Sequence, residues 1–420
     1  MIASLYRSIG RRFWLWSNRT AFARTQETAL PQLLVDVSTI IRFDAQTGIQ
    51  RVVRAVWSEL LRRNGDGFEL RAVFATPTRG YCYAPLSALD QGGPTAAFEP
   101  AAAGPNDRFL GLDLVAQHLP NYREQLRRWK AAGATVNLVV YDLLPLAQPQ
   151  WFSDTGARNF RRWFSLLTSE ADGAICISRD VADDLHRRLA QASPGNAPRI
   201  RRIQLGGDIE NSLPSSGNDL RVAELLERIG SRPTVLMVGT IEPRKGYDIA
   251  LAAFDQLWAS PDEQAPDLVI VGKPGWKTEE LQQQILKHPE FGRRLHWLAR
   301  VSDEDLCRLY SASRAFFMPS RGEGMGLPLL EAAMHGCHIL ARDLPVFREQ
   351  GLAHLQYFDD DRPEMLAAAL RALAVRSERP APSQEGLPTW ADTVDQLLQA
   401  LDLQIGEEAA RLSLGGIAQP

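Results

Sequence analysis

Two short stretches hold the residues best suited to grip a charged ligand. One runs from Ser320 to Glu331, Ser-Arg-Gly-Glu-Gly-Met-Gly-Leu-Pro-Leu-Leu-Glu. It follows the apolar run Ala315-Phe316-Phe317-Met318, which reads as a short buried strand closed by Pro319. Gly322, Gly324 and Gly326 permit a sharp turn and a close approach of backbone to something bulky. Pro328 suits the first turn of a helix, Leu329 to Met334 continue it, and Gly336 ends it. A glycine loop feeding a helix amino end presents unpaired N–H groups and the positive end of a dipole, which together attract anions. Glu323 in the loop and Glu331 in the helix frame that site. The other stretch is Gly239-Thr240-Ile241-Glu242-Pro243-Arg244-Lys245-Gly246. Adjacent Arg and Lys between a strand and a helix suit a diphosphate, one as a planar fork and the other as a point charge.

On the residues alone each stretch keeps a plainer reading. A strand–loop–helix unit can merely turn a corner, and an Arg-Lys pair can be a solvated loop. No Walker lysine follows the glycines, and the spacing is not Gly-x-Gly-x-x-Gly, so neither phosphate fingerprint applies. A resemblance separates the readings. Gly322-Glu323-Gly324-Met325-Gly326-Leu327-Pro328-Leu329-Leu330-Glu331-Ala332, then Gly336-Cys337 and Asp343-Leu344-Pro345-Val346-Phe347-Arg348-Glu349, closely resembles the E-x7-E region of the glycosyltransferase family 4 enzymes. These are retaining, nucleotide-sugar-dependent transferases of the GT-B fold. The resemblance implies that Arg244 and Lys245 hold the donor diphosphate, that Glu323 contacts donor-sugar hydroxyls, and that Glu331 meets the nucleotide ribose. It sets Gly239, Gly324, Met325, Gly326 and Leu327 around the donor, Gly272 in a cleft wall, and the backbone near Arg300 and Val301 against the base. It implies neither cofactor nor metal, the nucleotide sugar being a substrate.

Elements to position these groups are readable along the chain. Gln32–Val37 reads as a strand, and Ile49, Val52, Val53, Val56 and Leu60 form one face of a following helix. Between them Thr47-Gly48-Ile49-Gln50-Arg51 resembles the family element whose glycine faces the donor phosphates or the acceptor; a plain turn glycine is the alternative. Further strands are expected at 70–75, 108–112, 136–141, 174–177 and 200–204, with helices at about 121–131, 157–169 and 179–190. A second alternating series starts at Thr234 and continues through 268–271, 295–298, 315–318, 338–341 and 355–358. Strands alternating with helices make mostly parallel sheets covered on both faces, with ligands at the carboxyl ends. The expected architecture is therefore α/β, two Rossmann-like parallel-sheet domains facing a cleft. Domain limits are set at 28–213 and 214–385, with a helix at 386–404 crossing back to the first domain. Tyr141-Asp142 ends one strand where relatives often carry His-Asp; Asp142 is expected to line the cleft, and the tyrosine leaves the role of position 141 open.

Composition is that of a soluble globular protein: 45% apolar and 23% charged over 420 residues. A net charge of −3 gives no overall basic field for nucleic acid. The four cysteines lack metal-ligand spacing and read as buried thiols. Asp303-x-Asp305 has the form of a metal motif, but Ser302 before it makes helix capping the better account. No run of eighteen apolar residues exists to span a bilayer. Residues 1–27 carry five arginines and no acid before Glu27, with Ile2, Leu5, Tyr6, Ile9, Phe13 and Trp16 at helical spacing. That pattern suits the surface of an anionic membrane, and equally a helix packed on the protein. Residues 405–420 read as a loose tail. The expectation is a cytoplasmic transferase, peripheral on the inner membrane face. It would move a sugar, by family weight mannose from guanosine diphosphate mannose, to a hydroxyl of a lipid-linked glycan or polysaccharide precursor, with a lipid-linked or oligosaccharide acceptor. A GT-B nucleotide-sugar epimerase and a non-catalytic GT-B scaffold subunit are the competing readings. Intact Glu323, Glu331, Arg244 and Lys245 favour transfer over both.

Overall fold

Thirteen strands and eleven helices of eight residues or more alternate among the residues that the computed structural model describes, which are 30–42, 47–89, 99–192, 197–229, 232–259, 265–376, 378–382 and 386–403. The basic segment 1–27 and the tail 405–420 lie outside them. In chain order the elements are β1 (Gln32–Asp36), α1 (Gly48–Arg62), β2 (Glu69–Thr76), β3 (Gly80–Ala84), β4 (Arg108–Gly111), α2 (Arg123–Ala131), β5 (Thr135–Val140), α3 (Asp154–Glu170), β6 (Gly173–Cys176), α4 (Arg179–Ala192) and β7 (Arg199–Arg202). Then follow α5 (Leu220–Ile229), β8 (Thr234–Val238), α6 (Tyr247–Ala259), β9 (Asp267–Val271), α7 (Glu279–Lys287), β10 (Leu295–Leu298), α8 (Asp303–Ala312), β11 (Ala315–Met318), α9 (Leu327–Met334), β12 (His338–Arg342), β13 (Leu355–Phe358), α10 (Pro363–Ala374) and α11 (Trp390–Ala400).

The chain forms two compact units. The first takes the described residues up to Leu143, Arg158–Leu205 and those from Trp390 onward; the second takes Leu144–Ala157 and Gly206–Thr389. Its sheet order in the first unit is β3-β2-β1-β4-β5-β6-β7. All neighbours are parallel except β2 and β3, joined as a hairpin through Pro77-Thr78-Arg79. Sequence reading missed β3, because its Tyr81-Cys82-Tyr83 core is brief and its periodicity is broken by the turn. Leu33, Leu34 and Val35 are wholly buried, as strands of a sheet covered on both faces must be. α11 belongs to this unit and packs on α1. It buries Trp390, Val394, Leu397 and Leu398, and Arg63 pairs with Asp395 at 3.0 Å.

In the second unit the order is β10-β9-β8-β11-β12-β13, with every pairing parallel. The period of two divides its core cleanly. Val235, Met237, Ala315, Phe317 and Leu340 pack with α6 and α10 on one face. Leu236, Phe316, Met318, Ile339 and Ala341 pack with α5, α8 and α9 on the other. Each sheet reverses its strand order once, between β1 and β4 and between β8 and β11. Those reversal points open crevices at the carboxyl strand ends, where α/β sheets hold ligands.

Candidate active site

Both chemistry-bearing stretches of the second unit emerge at its reversal point. The loop after β8 carries Arg244 and Lys245 on the short turn Pro243–Lys245, and the loop after β11 carries Glu323. They meet as a charge cluster. Lys245 Nζ donates to Glu323 Oε1 at 2.6 Å, and Arg244 Nη1 donates to Oε2 at 2.7 Å and to the Gly322 carbonyl at 2.9 Å. The other arm of Arg244 lies 2.7 Å from Glu242 Oε1, itself buried. The Glu323 side chain is only 8% exposed. Burial alone would raise its pKa, but the charges of Arg244 and Lys245, with hydrogen bonds from Lys245 and Ser320, overcome that and hold it at about 2.

The loops are shaped by close backbone approach. Gly272, after β9, lies against the β8 loop, and a Cβ there would stand 1.8 Å from the Gly239 carbonyl oxygen. Lys245 folds back over Gly239, whose carbonyl also accepts the Tyr247 hydroxyl at 2.5 Å. Gly326 caps α9 with φ +91°, and a Cβ there would meet the Phe347 ring at 2.6 Å. Gly324, Met325 and Leu327 are buried around it. Glu331, one turn into α9, is 1% exposed and accepts the Tyr310 hydroxyl at 2.7 Å. Arg300 and Val301 follow β10, the first exposed and the second half-buried. Next to them Ser302 caps α8 by accepting from the Asp305 N–H at 3.0 Å, while Asp303 accepts from Ser215 and Asp305 from the Asp219 N–H. The Asp303-x-Asp305 pair therefore works as helix-end and loop anchoring.

Residues 225–381, most of this unit, match the family described as glycosyl transferases group 1. Over 380 residues, 89% of this chain, the sequence is 38% identical to the serotype-specific mannosyltransferase WbdA of Escherichia coli. The match to the group 1 glycosyl transferases lies within the second unit. The chain spans less than half of that mannosyltransferase, 45% of its length. Solved structures of similar fold include Anabaena HepE in complex with UDP and glucose, at TM-score 0.55 and 16% identity over 92% of this chain and 100% of that one. Sucrose-phosphate synthase from Thermosynechococcus elongatus is similar at TM-score 0.57 and 17% identity, over 92% and 97%. The two parallel-sheet units thus make a GT-B fold.

Of the sequence-predicted residues, Gly239, Arg244, Lys245, Gly272 and Glu323 to Leu327 gather at the second unit's reversal point, with Glu331 beneath them and Arg300 and Val301 two strands away. Gly48 and Asp142 lie in the first unit, Gly48 opening α1 behind its Thr47 cap and Asp142 half-buried after β5. Tyr141 is buried, and its hydroxyl donates to the Leu112 carbonyl at 2.8 Å, a structural bond rather than a free acid or base. Sequence reasoning missed Glu242 and Tyr310, the orienting partners of Arg244 and Glu331. Glu242 stood inside the quoted motif; Tyr310 lies on another helix with no spacing to betray it. Also missed was a carboxyl pair at the first unit's reversal point. Asp36 is wholly buried, accepting from Ser38 and from Tyr81 at 2.6 Å. Asp113, after β4, is 6% exposed, and burial, then the neighbouring Asp36 charge, pushes its pKa up to about 6.

Proposed function

We propose that this chain is a glycosyl transferase that moves a mannosyl residue from a nucleotide diphosphate donor to a hydroxyl of a glycan precursor, with retention at the anomeric carbon. The Arg244–Lys245–Glu323 cluster carries the reading. Its two cations stand side by side at the crevice where such sheets bind ligands, matched in number to the negative charges of a diphosphate. Glu323 bridges both of them. In the proposed sequence the diphosphate takes over Arg244 and Lys245, and the released carboxylate turns to the hydroxyls of the transferred sugar. As the C1–O bond to phosphate breaks, charge accumulates on the departing diphosphate, and the two cations with the amino end of α9 neutralise it. Glu323 then acts where positive charge develops on the sugar, and Glu331, oriented by Tyr310, takes the ribose hydroxyls.

Mannose and a surface glycan are proposed from the likeness to the mannosyltransferase WbdA, of which this chain covers only part. The charge work is assigned to the protein's own cations and helix end, with no metal or other cofactor. A lipid-linked acceptor is proposed from the family resemblance, and attachment to the cytoplasmic membrane face from the basic residues 1–27; among the described residues no helix is long and apolar enough to cross a membrane. Incubating the chain with guanosine diphosphate mannose, first alone and then with an α-linked manno-oligosaccharide, tests the proposal. Slow release of free mannose and then an elongated α-linked product are expected. An epimerised nucleotide sugar, or inert donor in both incubations, would overturn it.

A further inference from the structure

The donor chemistry proposed above leaves one surface of the second unit unused. The loop Gly272–Thr278 after β9 is fastened to the loop after β8. Ile241 N–H donates to the Lys273 carbonyl at 2.9 Å, while the Gly275 N–H and the Thr278 hydroxyl both donate to the Ile241 carbonyl, at 3.1 and 2.8 Å. From this pinned loop Trp276 projects with 38% exposure, where large aromatic residues are normally covered. Its ring is nonetheless fixed. The indole N–H donates to the Trp151 carbonyl at 2.8 Å, and the ring stacks on Phe152 with centroids 6.3 Å apart and planes 30° from parallel. Trp151 in turn packs on the backbone of Gly322, where a Cβ would stand 3.0 Å from its Cζ3. Gly322 precedes Glu323, so the aromatic surface begins at the charge cluster and runs outward from it.

A pyranose ring has one face of C–H bonds and a rim of hydroxyls. The C–H face suits the negative face of an indole, and the rim needs hydrogen-bonding groups beside the ring. Both are present. Lys277 lies 3.5 Å from Asp154, whose side chain is 92% exposed, and it also donates to the Gln150 carbonyl at 3.3 Å. A nucleobase would stack equally well on an indole, but the contact with Gly322 ties this surface to the loop assigned to sugar hydroxyls. The base is assigned to the loop after β10, the strand beside β9.

We propose that Trp276, with Phe152 and Trp151, forms a binding subsite for a sugar ring of the glycan acceptor. The proposal rests on the glycosyl-transfer reading. The test uses the full chain labelled with 5-fluorotryptophan, the Trp276 resonance being assigned by its loss in Trp276→Phe. α-Mannotriose alone is expected to shift that resonance, and guanosine diphosphate mannose alone to leave it in place. Trp276→Ala is expected to raise the acceptor KM about tenfold with the donor KM within twofold, and Trp276→Phe, which keeps a stacking ring, to restore most of the loss. A shift produced only by the nucleotide sugar would give the surface to the donor and overturn the proposal. So would an unshifted resonance, or an unchanged acceptor KM in Trp276→Ala, in a chain that transfers mannose. If the resonance responds to mannotriose while the wild type neither hydrolyses donor nor transfers, the subsite stands and the transfer reading falls.

Discussion

Replacing Glu323 by Gln separates the two jobs assigned to its carboxylate. In the structure it bridges Lys245 at 2.6 Å and Arg244 at 2.7 Å. Its pKa falls from 4.5 to about 2 in the fold. A folded value below the unfolded one stabilises above pH 4.5, and that stabilisation is lost as pH falls through 4.5 toward 2. At 1.36 kcal/mol per pKa unit the pairing contributes about 3 kcal/mol at pH 7. Removing one member of a buried pair costs about 3–5 kcal/mol, and Arg244 keeps Glu242 here, so the lower end applies. Glu323→Gln should therefore be about 3 kcal/mol less stable at pH 7, and the gap should close near pH 2. Nucleotide binding should move the other way. A diphosphate entering the wild type displaces Glu323 from its cations; in the variant it meets them unoccupied. One charge-assisted hydrogen bond, worth about 1.5–3 kcal/mol, sets the gain at roughly tenfold or more in affinity for free guanosine diphosphate. Sugar transfer should fall despite the tighter binding, because the group facing the developing positive charge has lost its own. Denaturant titrations from pH 2.5 to 7 and calorimetric titration with the nucleotide read both effects. A variant that binds nucleotide no better than wild type, or a stability gap indifferent to pH, would refute the competition.

Arg244→Ala should weaken nucleotide diphosphate binding by about 2 kcal/mol or more, some thirtyfold, leaving Glu242 and Glu323 facing the phosphates with one cation fewer; calorimetry with guanosine diphosphate checks it. Glu331→Gln keeps an acceptor for the Tyr310 hydroxyl but loses its charge, so nucleotide affinity should drop about tenfold for one charge-assisted bond, measured by calorimetry with guanosine diphosphate. Asp113 carries the opposite sign from Glu323. Its pKa is raised from 3.8 to about 6, so the wild type loses stability as pH climbs from 4 to 6 and stays lower above that. Asp113→Asn should remove that slope and be more stable at pH 7 by up to about 3 kcal/mol, seen in denaturant midpoints across pH 4–8.

Strand positions were legible because each is a short apolar or β-branched run between turn residues. Thr234–Val238, Ala315–Met318 and Leu355–Phe358 were readable to within a residue of their observed ends. The charge cluster was legible in part. Arg244, Lys245 and Glu323 could be named because each sits in a motif, but their mutual pairing could not, since 78 residues separate Lys245 from Glu323 and only the order β8-β11 brings them together. Tyr310 was invisible for the same reason, as was the grouping of Leu144–Ala157 with the second unit. Trp276, four residues past the Gly272 of the expected cleft wall, carried no motif of its own. Its use emerged only once Ile241 was seen to pin the loop and Phe152 to stack on the ring.

The two sheets solve one topological problem with opposite charges. Each reverses its strand order beside its first strand, and each places ionisable groups at the carboxyl ends that flank the reversal. In the second unit these are Arg244 and Lys245, held ready by Glu323 and Glu242, so a ligand there must bring negative charge to displace a carboxylate. In the first unit they are Asp36, which accepts from Ser38 and Tyr81, and Asp113 after β4. Burial, then the charge of Asp36, lifts the pKa of Asp113 to about 6 and makes its ionisation costly, so a further anion is unwelcome there and a hydrogen-bond donor is suited. Exchange of charge between the reversal points, by Asp113→Lys for instance, should therefore cost more than either neutral substitution, because it would bury a cation among groups built to accept protons.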